Sequence, residues 1–208
     1  MSFFTGLLPI YAQFNFANTG FTAEEVAKAN TAAKAAGMTQ MDKDIVALCN
    51  LARLDGKRFW NSIAAPYLNG QTSTYIVSLK ADLSAISDLP MLQVEASLQK
   101  AATFHATNMG NSGEAGHDSP DGTKWNDRVT SFYKSSYVAE NCAYGNDSAI
   151  GVVMQLLVDE NIETLGHRKN ILNPAYKAIG VATKPHIEYD FNTVQDFGDK
   201  VVTHQPVE

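Results

Sequence analysis

The chain has 208 residues, of which 45% are hydrophobic and 18% charged, so it is long enough to bury a core without disulfides or metals. Its formal net charge is −6 and it has no basic patch, which argues against nucleic acid as a partner. No stretch approaches the roughly 20 apolar residues of a membrane span, so we expect a protein that is not integral to a membrane.

The first stretch, residues 2–13 (SFFTGLLPIYAQ), is mostly apolar and has small residues near its end. It resembles the hydrophobic and cleavage regions of a secretory signal, but no basic region precedes it. Two explanations are open: a signal remnant over 1–13 left by a late start, or an N-terminal segment packed on the domain. We favour the first and therefore predict export.

The next element is an alanine-rich helix predicted over residues 22–36. Thr22 to Glu25 fits a capping box, and Gly37 ends the run. Because the apolar face is mostly alanine, we expect weak packing and interpret residues 1–40 as an appendage. The main domain is then 41–198, and 199–208 is a polar tail.

Four helices are predicted in the first half of this domain. Their apolar residues recur at helical spacing from Met41 to the break at Asp55-Gly56, from Phe59 to Tyr67, from Ile76 to Ile86 and from Gln93 to Met109. In the last of these, His105 shares a face with Leu98 and Ala101, so it points inward. A single inward histidine is more often a core residue than a ligand, and we interpret it so.

The middle of the chain alternates loops with short elements. His117 lies in a loop over residues 111–122, where taken alone it would be an ordinary surface residue. A short helix around Trp125–Phe132 and a strand over Tyr137–Tyr144, which contains Glu140, follow. A helix capped by Asp147 or Ser148 comes next. At 100° per residue Glu160, rather than Asp159, faces the core if that helix extends far enough.

The end of the chain changes to strands. Tyr176–Thr183 reads as a strand, and Ile187, Tyr189 and Phe191 alternate with polar residues as in a half-exposed strand, which Gln195–Phe197 extends. Helices first and antiparallel strands last predict an α+β fold with helices stacked on a small sheet.

Four polar residues stand out beside turns, caps and strands: His117, Glu140, Glu160 and His167. Two imidazoles can hold a divalent metal while two carboxylates fix their tautomers or position water. The same four groups can equally form a hydrogen-bonded polar cleft without a metal.

Five segments resemble the CAP superfamily of cysteine-rich secretory proteins, antigen-five allergens and pathogenesis-related proteins. AENCAYG around Glu140 resembles its GEN motif, and QLLVDE resembles the helix that brings its second acid. GHDSPDG with Asp127-Arg128, and GHRKNILNPAYKAIGVA, resemble the two histidine motifs of bacterial SCP-like extracellular domains. NLAR, at residues 50–53, resembles the first helix. The resemblance covers about residues 41–198.

The resemblance implies a three-layer α-β-α sandwich with a central antiparallel sheet, and a secreted or periplasmic location. It implies a cleft lined by His117, Glu140, Glu160 and His167, in which His117 and His167 bind zinc or another divalent ion, as in some members. Several members bind sterols or fatty acids, and no general catalytic activity is established. Unlike eukaryotic members, this chain has Arg-Lys-Asn after His167 and lacks the framework disulfides.

Several functions are therefore open. The first is an exported binding module that holds a metal, a small molecule or a lipid in the cleft. The second is a metal-assisted hydrolase with Glu140 or Glu160 as general base, or with the Cys142 thiol, although HExxH and GxSxG are absent. The third is a lipid or protein binder that does not use the four residues. They could also only fix loops through mutual hydrogen bonds.

The two cysteines, Cys49 and Cys142, lie in no metal-ligand spacing. We interpret them as two buried small hydrophobic residues, with their pairing left open.

Overall fold

The computed structural model describes residues 13–201, and a four-stranded sheet forms their middle layer. The strands are β1 (Gln93–Val94), β2 (Val138–Tyr144), β3 (Ala178–His186) and β4 (Asp190–Gly198), in the order β1-β3-β4-β2. β1 runs parallel to β3, and the other two pairs are antiparallel. The predicted α+β fold is confirmed, but the sheet is mixed because the short β1 joins it in parallel.

The helices are α1 (Ala23–Ala29), α2 (Gln40–Leu54), α3 (Gly56–Phe59), α4 (Ala65–Leu68), α5 (Thr74–Ser84), α6 (Ala96–Ser112), α7 (Trp125–Phe132), α8 (Ala149–Val158) and α9 (Gly166–Leu172). A 3-10 turn (Phe16–Asn18) precedes α1, and a π-helical turn (Trp60–Ala64) joins α3 to α4. Within the described chain no helix is both long and apolar enough to cross a bilayer.

One face of the sheet packs against α6 and α7. Ala178 and Ala182 of β3 contact this layer, since alternate residues of a strand point to the same side. α6 lies unusually close to the sheet: a Cβ on Gly180 would come within 2.2 Å of the backbone carbon of Leu98. Only glycine fits there.

The opposite face carries the larger core. Ile179 and Val181 of β3 and Phe197 of β4 pack there with the buried residues of α2, α5 and α8. α8 is buried on nearly every side. The two helical layers around one sheet give the expected three-layer sandwich.

The N-terminal segment belongs to this core, contrary to its interpretation as an appendage. Ala29 and Ala32 are fully buried, and the Asn50 side chain of α2 donates to the backbone oxygens of Ala29 (2.9 Å) and Leu92 (3.0 Å). Alanine allows close approach of the chain to α2, so a small apolar face still packs. The helix also ends at Ala29 rather than at residue 36. The predicted signal remnant lies outside the described residues except for Gln13.

Two element predictions near the sheet need correction. The helix predicted from Gln93 begins at Ala96, because Gln93–Val94 pairs with β3. Ile187 and Tyr189 are not strand residues but the tip of the β3–β4 hairpin, where they are 67% and 46% exposed. β4 lies between two strands and is covered on both faces, so it lacks the alternation of a half-exposed strand.

Candidate metal-binding cleft

The cleft forms along β2, which lies at the end of the sheet. Its alternating side chains serve both layers: Glu140 and Cys142 point to the α6 side, and Asn141 points to the α9 side. Asn141 Nδ2 donates to the backbone oxygen of His167 (3.1 Å), and Asn141 Oδ1 accepts from Asn170 Nδ2 (2.8 Å). A loop from one layer and a helix from the other therefore meet at this edge.

His117 lies on the loop that follows α6. Its Nδ1 is 2.9 Å from Glu140 Oε1, and its side chain is 44% exposed, whereas that of Glu140 is 1% exposed. The loop is held on the sheet by Tyr144, whose hydroxyl accepts from the backbone N–H of Gly116 (2.8 Å). The structure thus brings together His117 and Glu140, as the sequence predicts.

Glu140 is held by a buried guanidinium. Arg128 of α7 donates to Glu140 Oε2, to the backbone oxygen of His117 (2.7 Å) and to Ser119 Oγ (3.1 Å). Burial acts to raise the pKa of Glu140, but the hydrogen bond with His117 and the charges of Arg128 and His105 together hold it below its usual value. Glu140 is therefore a carboxylate at neutral pH, and Arg128 is a site residue that sequence reasoning did not single out.

The second acid of the cleft is Asp159, not Glu160. Asp159 Oδ1 lies 2.7 Å from His167 Nδ1, and Asp159 Oδ2 accepts from the backbone N–H groups of His167 (3.0 Å) and Arg168 (3.3 Å). The helix ends at Val158, and Asp159 adopts a left-handed conformation with φ of 56°. The helical projection that favoured Glu160 therefore does not apply. Glu160 instead accepts from Ser73 Oγ (2.9 Å), in a separate groove between α5 and α8.

The cleft thus contains two imidazole rings, each hydrogen-bonded to its own carboxylate. The centroids of His117 and His167 are 6.4 Å apart, with 34° between their planes. A carboxylate can only accept a hydrogen bond, so each Nδ1 carries a proton and each neutral ring keeps its lone pair on Nε2. No residue within 13–201 engages either Nε2.

This arrangement fits a metal. Histidines that ligate metals usually donate their other N–H to a carboxylate, which fixes the tautomer and orients the ring. Here Glu140 and Asp159 do this for His117 and His167. The two Nε2 atoms supply two ligands, and water would have to complete the four that zinc prefers.

Cys142 borders the same cleft. Because β2 is extended, its Sγ lies on the side of Glu140, 3.6 Å from Oε1, and 3.7 Å from His117 Nδ1. Burial first, and then the charges of Glu140 and Asp196, raise the pKa of Cys142 well above its usual value. The thiol is therefore protonated at neutral pH and is a poor nucleophile. Cys49 is fully buried and both cysteines are free, so they do not form a disulfide.

Comparisons with known proteins find one family model and two solved structures that are similar to this chain. The model of the family described as CAP, the cysteine-rich secretory protein family, matches residues 46–197. A solved structure of an extracellular protein with an SCP domain from Bacillus anthracis str. Ames is 22% identical, with a TM-score of 0.47, over 78% of this chain and 44% of that one. The chain thus spans less than half of that protein.

A second solved structure is an outer surface protein from Borrelia burgdorferi. It is 23% identical, with a TM-score of 0.46, over 54% of this chain and 80% of that one. A search of curated proteins finds no significant match.

Proposed function

The chain belongs to the CAP (cysteine-rich secretory protein) family, and on that premise we propose that it is an exported binding protein whose cleft holds a divalent metal through His117 and His167. Zinc is the ion we favour, because imidazole suits it. Export is supported by the family and by the apolar residues 2–13.

One observation carries the metal proposal: each imidazole has its own buried carboxylate on Nδ1. The His117–Glu140 distance is 2.9 Å and the His167–Asp159 distance is 2.7 Å. Both rings are thus oriented with Nε2 available, while remaining 44% and 22% exposed to an incoming ion. With two protein ligands, we expect weaker binding than at a structural zinc site with four.

The geometry argues against the metal-assisted hydrolase. Glu140 is engaged by His117 and Arg128, and Asp159 by His167 and two backbone N–H groups. Each carboxylate thus already accepts hydrogen bonds that hold it in place, which favours an orienting role over that of a general base. A small or lipidic ligand stays a prediction, since the groove of about 600 Å³ between α5 and α8 has a mixed polar and apolar lining.

The test is calorimetric titration of zinc into metal-stripped protein near pH 7. We expect a saturable binding event that is lost in His117→Ala and in His167→Ala, because each removes one of the two ligands. An isotherm that is the same in the unmodified protein and in both variants would refute the proposal.

A second comparison separates the two neighbouring acids. Asp159→Asn should weaken zinc binding at this site by about 10- to 100-fold, because the ring of His167 loses the carboxylate that fixes its tautomer. Glu160→Gln is the matched control and should leave the affinity unchanged, since Glu160 faces Ser73. Equal effects of the two changes would contradict the role given to Asp159.

A further inference from the structure

A second group of ligand atoms lies beneath the cleft, on the α6 side of the sheet. His105 of α6 and Glu140 and Cys142 of β2 each offer one atom, and these atoms all lie within 4.8 Å of one another. His105 is fully buried, and its Nε2 is the atom that faces Glu140, 3.9 Å from Oε1. His117 and His167 do not belong to this group.

The spacing is close to that of a tetrahedral site. Cys142 Sγ lies 3.6 Å from Glu140 Oε1, and the carbonyl oxygen of Gly116 lies 3.1 Å from His105 Nε2 and 3.5 Å from Cys142 Sγ. Zinc bonds of about 2.0–2.3 Å in a tetrahedron imply ligand separations of about 3.3–3.8 Å. Four of the six atom pairs, at 3.1–3.9 Å, are thus near this spacing, and the ligand atoms of His105 and Cys142 lie within 4.8 Å of each other.

Hydrogen bonding within the group is poorly matched. The Gly116 oxygen lies within reach of His105 Nε2, Cys142 Sγ and Tyr144 Oη at 3.3 Å, and the single hydrogen of the Cys142 thiol can reach either this oxygen or Glu140 Oε1. Asp196, which is fully buried, lies opposite Glu140 in the β2–β4 pairing. Within residues 13–201 neither of its carboxyl oxygens makes a hydrogen bond of regular geometry. Such unmatched buried groups call for an explanation.

We propose that His105, Glu140 and Cys142 form a second, buried site for a zinc-like divalent ion, with the Gly116 carbonyl as the fourth ligand. The S–H bond of Cys142 breaks as the sulfur–metal bond forms, and that proton leaves to solvent. The proton that His105 Nε2 shares with the Gly116 oxygen moves to Nδ1, which leaves the Nε2 lone pair for the ion. Thiolate, imidazole and carboxylate together suit zinc rather than magnesium or calcium.

Two features of this site bear on how an ion would enter it and how tightly it would bind. Cys142 is only partly buried and lies beside His117, which gives an ion a route inward. His105 Nδ1 has no partner in the described chain, so its ring lacks the outer hydrogen bond of most ligating histidines. We therefore expect affinity below that of a structural zinc finger.

The test is titration of cobalt(II) into the metal-stripped, reduced protein, followed by absorption. A thiolate ligand gives a near-ultraviolet sulfur-to-cobalt charge-transfer band. We expect this band in the unmodified protein and in the matched control Cys49→Ala, and its loss in Cys142→Ser. His105→Gln should weaken cobalt binding measured by the same band.

The outcomes separate this proposal from the cleft site. The double variant His117→Ala, His167→Ala should keep the charge-transfer band, because neither ring is a ligand here. No band in the unmodified protein, or a band that persists in Cys142→Ser, would overturn the buried site and leave the cleft proposal intact. Circular dichroism of each variant checks that it is folded, so that a folding defect is not mistaken for loss of a ligand. His105→Gln tests the site at a second ligand, independently of Cys142.

Discussion

Glu140 and Asp196 face each other on neighbouring strands, and their surroundings drive them to different protonation states. Burial acts to raise the pKa of Glu140, but the hydrogen bond with His117 and the charge of Arg128 hold it below its usual value. Burial first, and then the charge of Glu140, raise the pKa of Asp196 well above its usual value. When the pair holds a single proton, that proton is therefore on Asp196.

This difference predicts a pH dependence of stability. Above about pH 3.8 the unfolded chain releases the Asp196 proton that the folded protein keeps, so stability falls as the pH rises towards the raised pKa. Asp196→Asn needs no proton, and we expect a higher free energy of unfolding at pH 7 and a flatter profile above pH 3.8. Urea denaturation of metal-stripped protein at several pH values measures this.

The control for this prediction is Asp88→Asn, at an exposed position. It should leave both the stability at pH 7 and the slope unchanged. If Asp196→Asn lowers the stability at pH 7, the raised pKa is not the dominant effect at this position.

At the level of single residues, the sequence is sufficient to predict three of the four cleft positions. His117, Glu140 and His167 stand next to turns or within a strand, and the structure brings them together in the cleft. The choice between Asp159 and Glu160 depended on where α8 ends, which periodicity does not show. Aspartate tolerates the left-handed conformation that ends a helix, and that property was the available signal.

Among the elements, the junction of α8 and α9 shows how one buried cation can join helices. Arg168 donates to the last carbonyls of α8, those of Leu157 (2.7 Å) and Val158 (2.9 Å). It also bonds α5 through the backbone oxygen of Tyr75 (2.9 Å) and the carboxylate of Asp82 (2.8 Å). A positive charge at a helix C-terminus also complements the helix dipole. Arg168 is thus a structural residue that joins α8 to α5.

Arg168→Ala should therefore lower the free energy of unfolding by at least about 3 kcal/mol, because three backbone carbonyls lose their donor at about 1–3 kcal/mol each. Its neighbour Lys169 is exposed, and Lys169→Ala should stay within about 0.5 kcal/mol of the unmodified protein. Denaturant unfolding followed by circular dichroism compares them. Similar losses for the two variants would mean that the bonds of Arg168 contribute little.

Helices with a strong apolar periodicity are predicted correctly from the sequence. Strands whose existence or bounds depend on pairing with another strand are not. The stripe in α2 and the segment Trp125–Phe132 appear in the structure as helices close to the predicted bounds. β1 has two residues and exists only because it pairs with β3, so no local pattern marks it. Ile187 and Tyr189 alternate with polar residues at the tip of a hairpin, and this pattern is the same as that of an edge strand.

For the whole molecule, the N-terminal segment and the main domain form one packing unit. Phe21, Ala32 and Met38 are buried in the same core as α2 and α8. Thr31 Oγ1 also donates to the backbone oxygen of Leu92 (2.7 Å), across the start of the sheet layer. Composition alone could not reveal this, since an alanine-rich face predicts weak packing unless its partner can approach closely.

The matched pair Ala32→Glu and Ala33→Glu tests whether the N-terminal segment and the main domain unfold together. Ala32 is fully buried and Ala33 is exposed, so only the first change places an unpaired charge in the core. We expect Ala32→Glu to lower the free energy of unfolding by about 3 kcal/mol or more, and the single calorimetric transition to move as a whole. A main transition that stays in place would show that residues 13–38 unfold separately.

The position of α9 beside β2 has a further consequence for how the molecule behaves among its own copies. A strand at the end of a sheet has backbone groups that another chain can pair with, which invites aggregation. Asn170 Nδ2 donates to the backbone oxygen of Glu140 (3.4 Å), and Asn141 binds α9 to the same strand. The helix that carries His167 into the cleft therefore also shields this edge from intermolecular pairing.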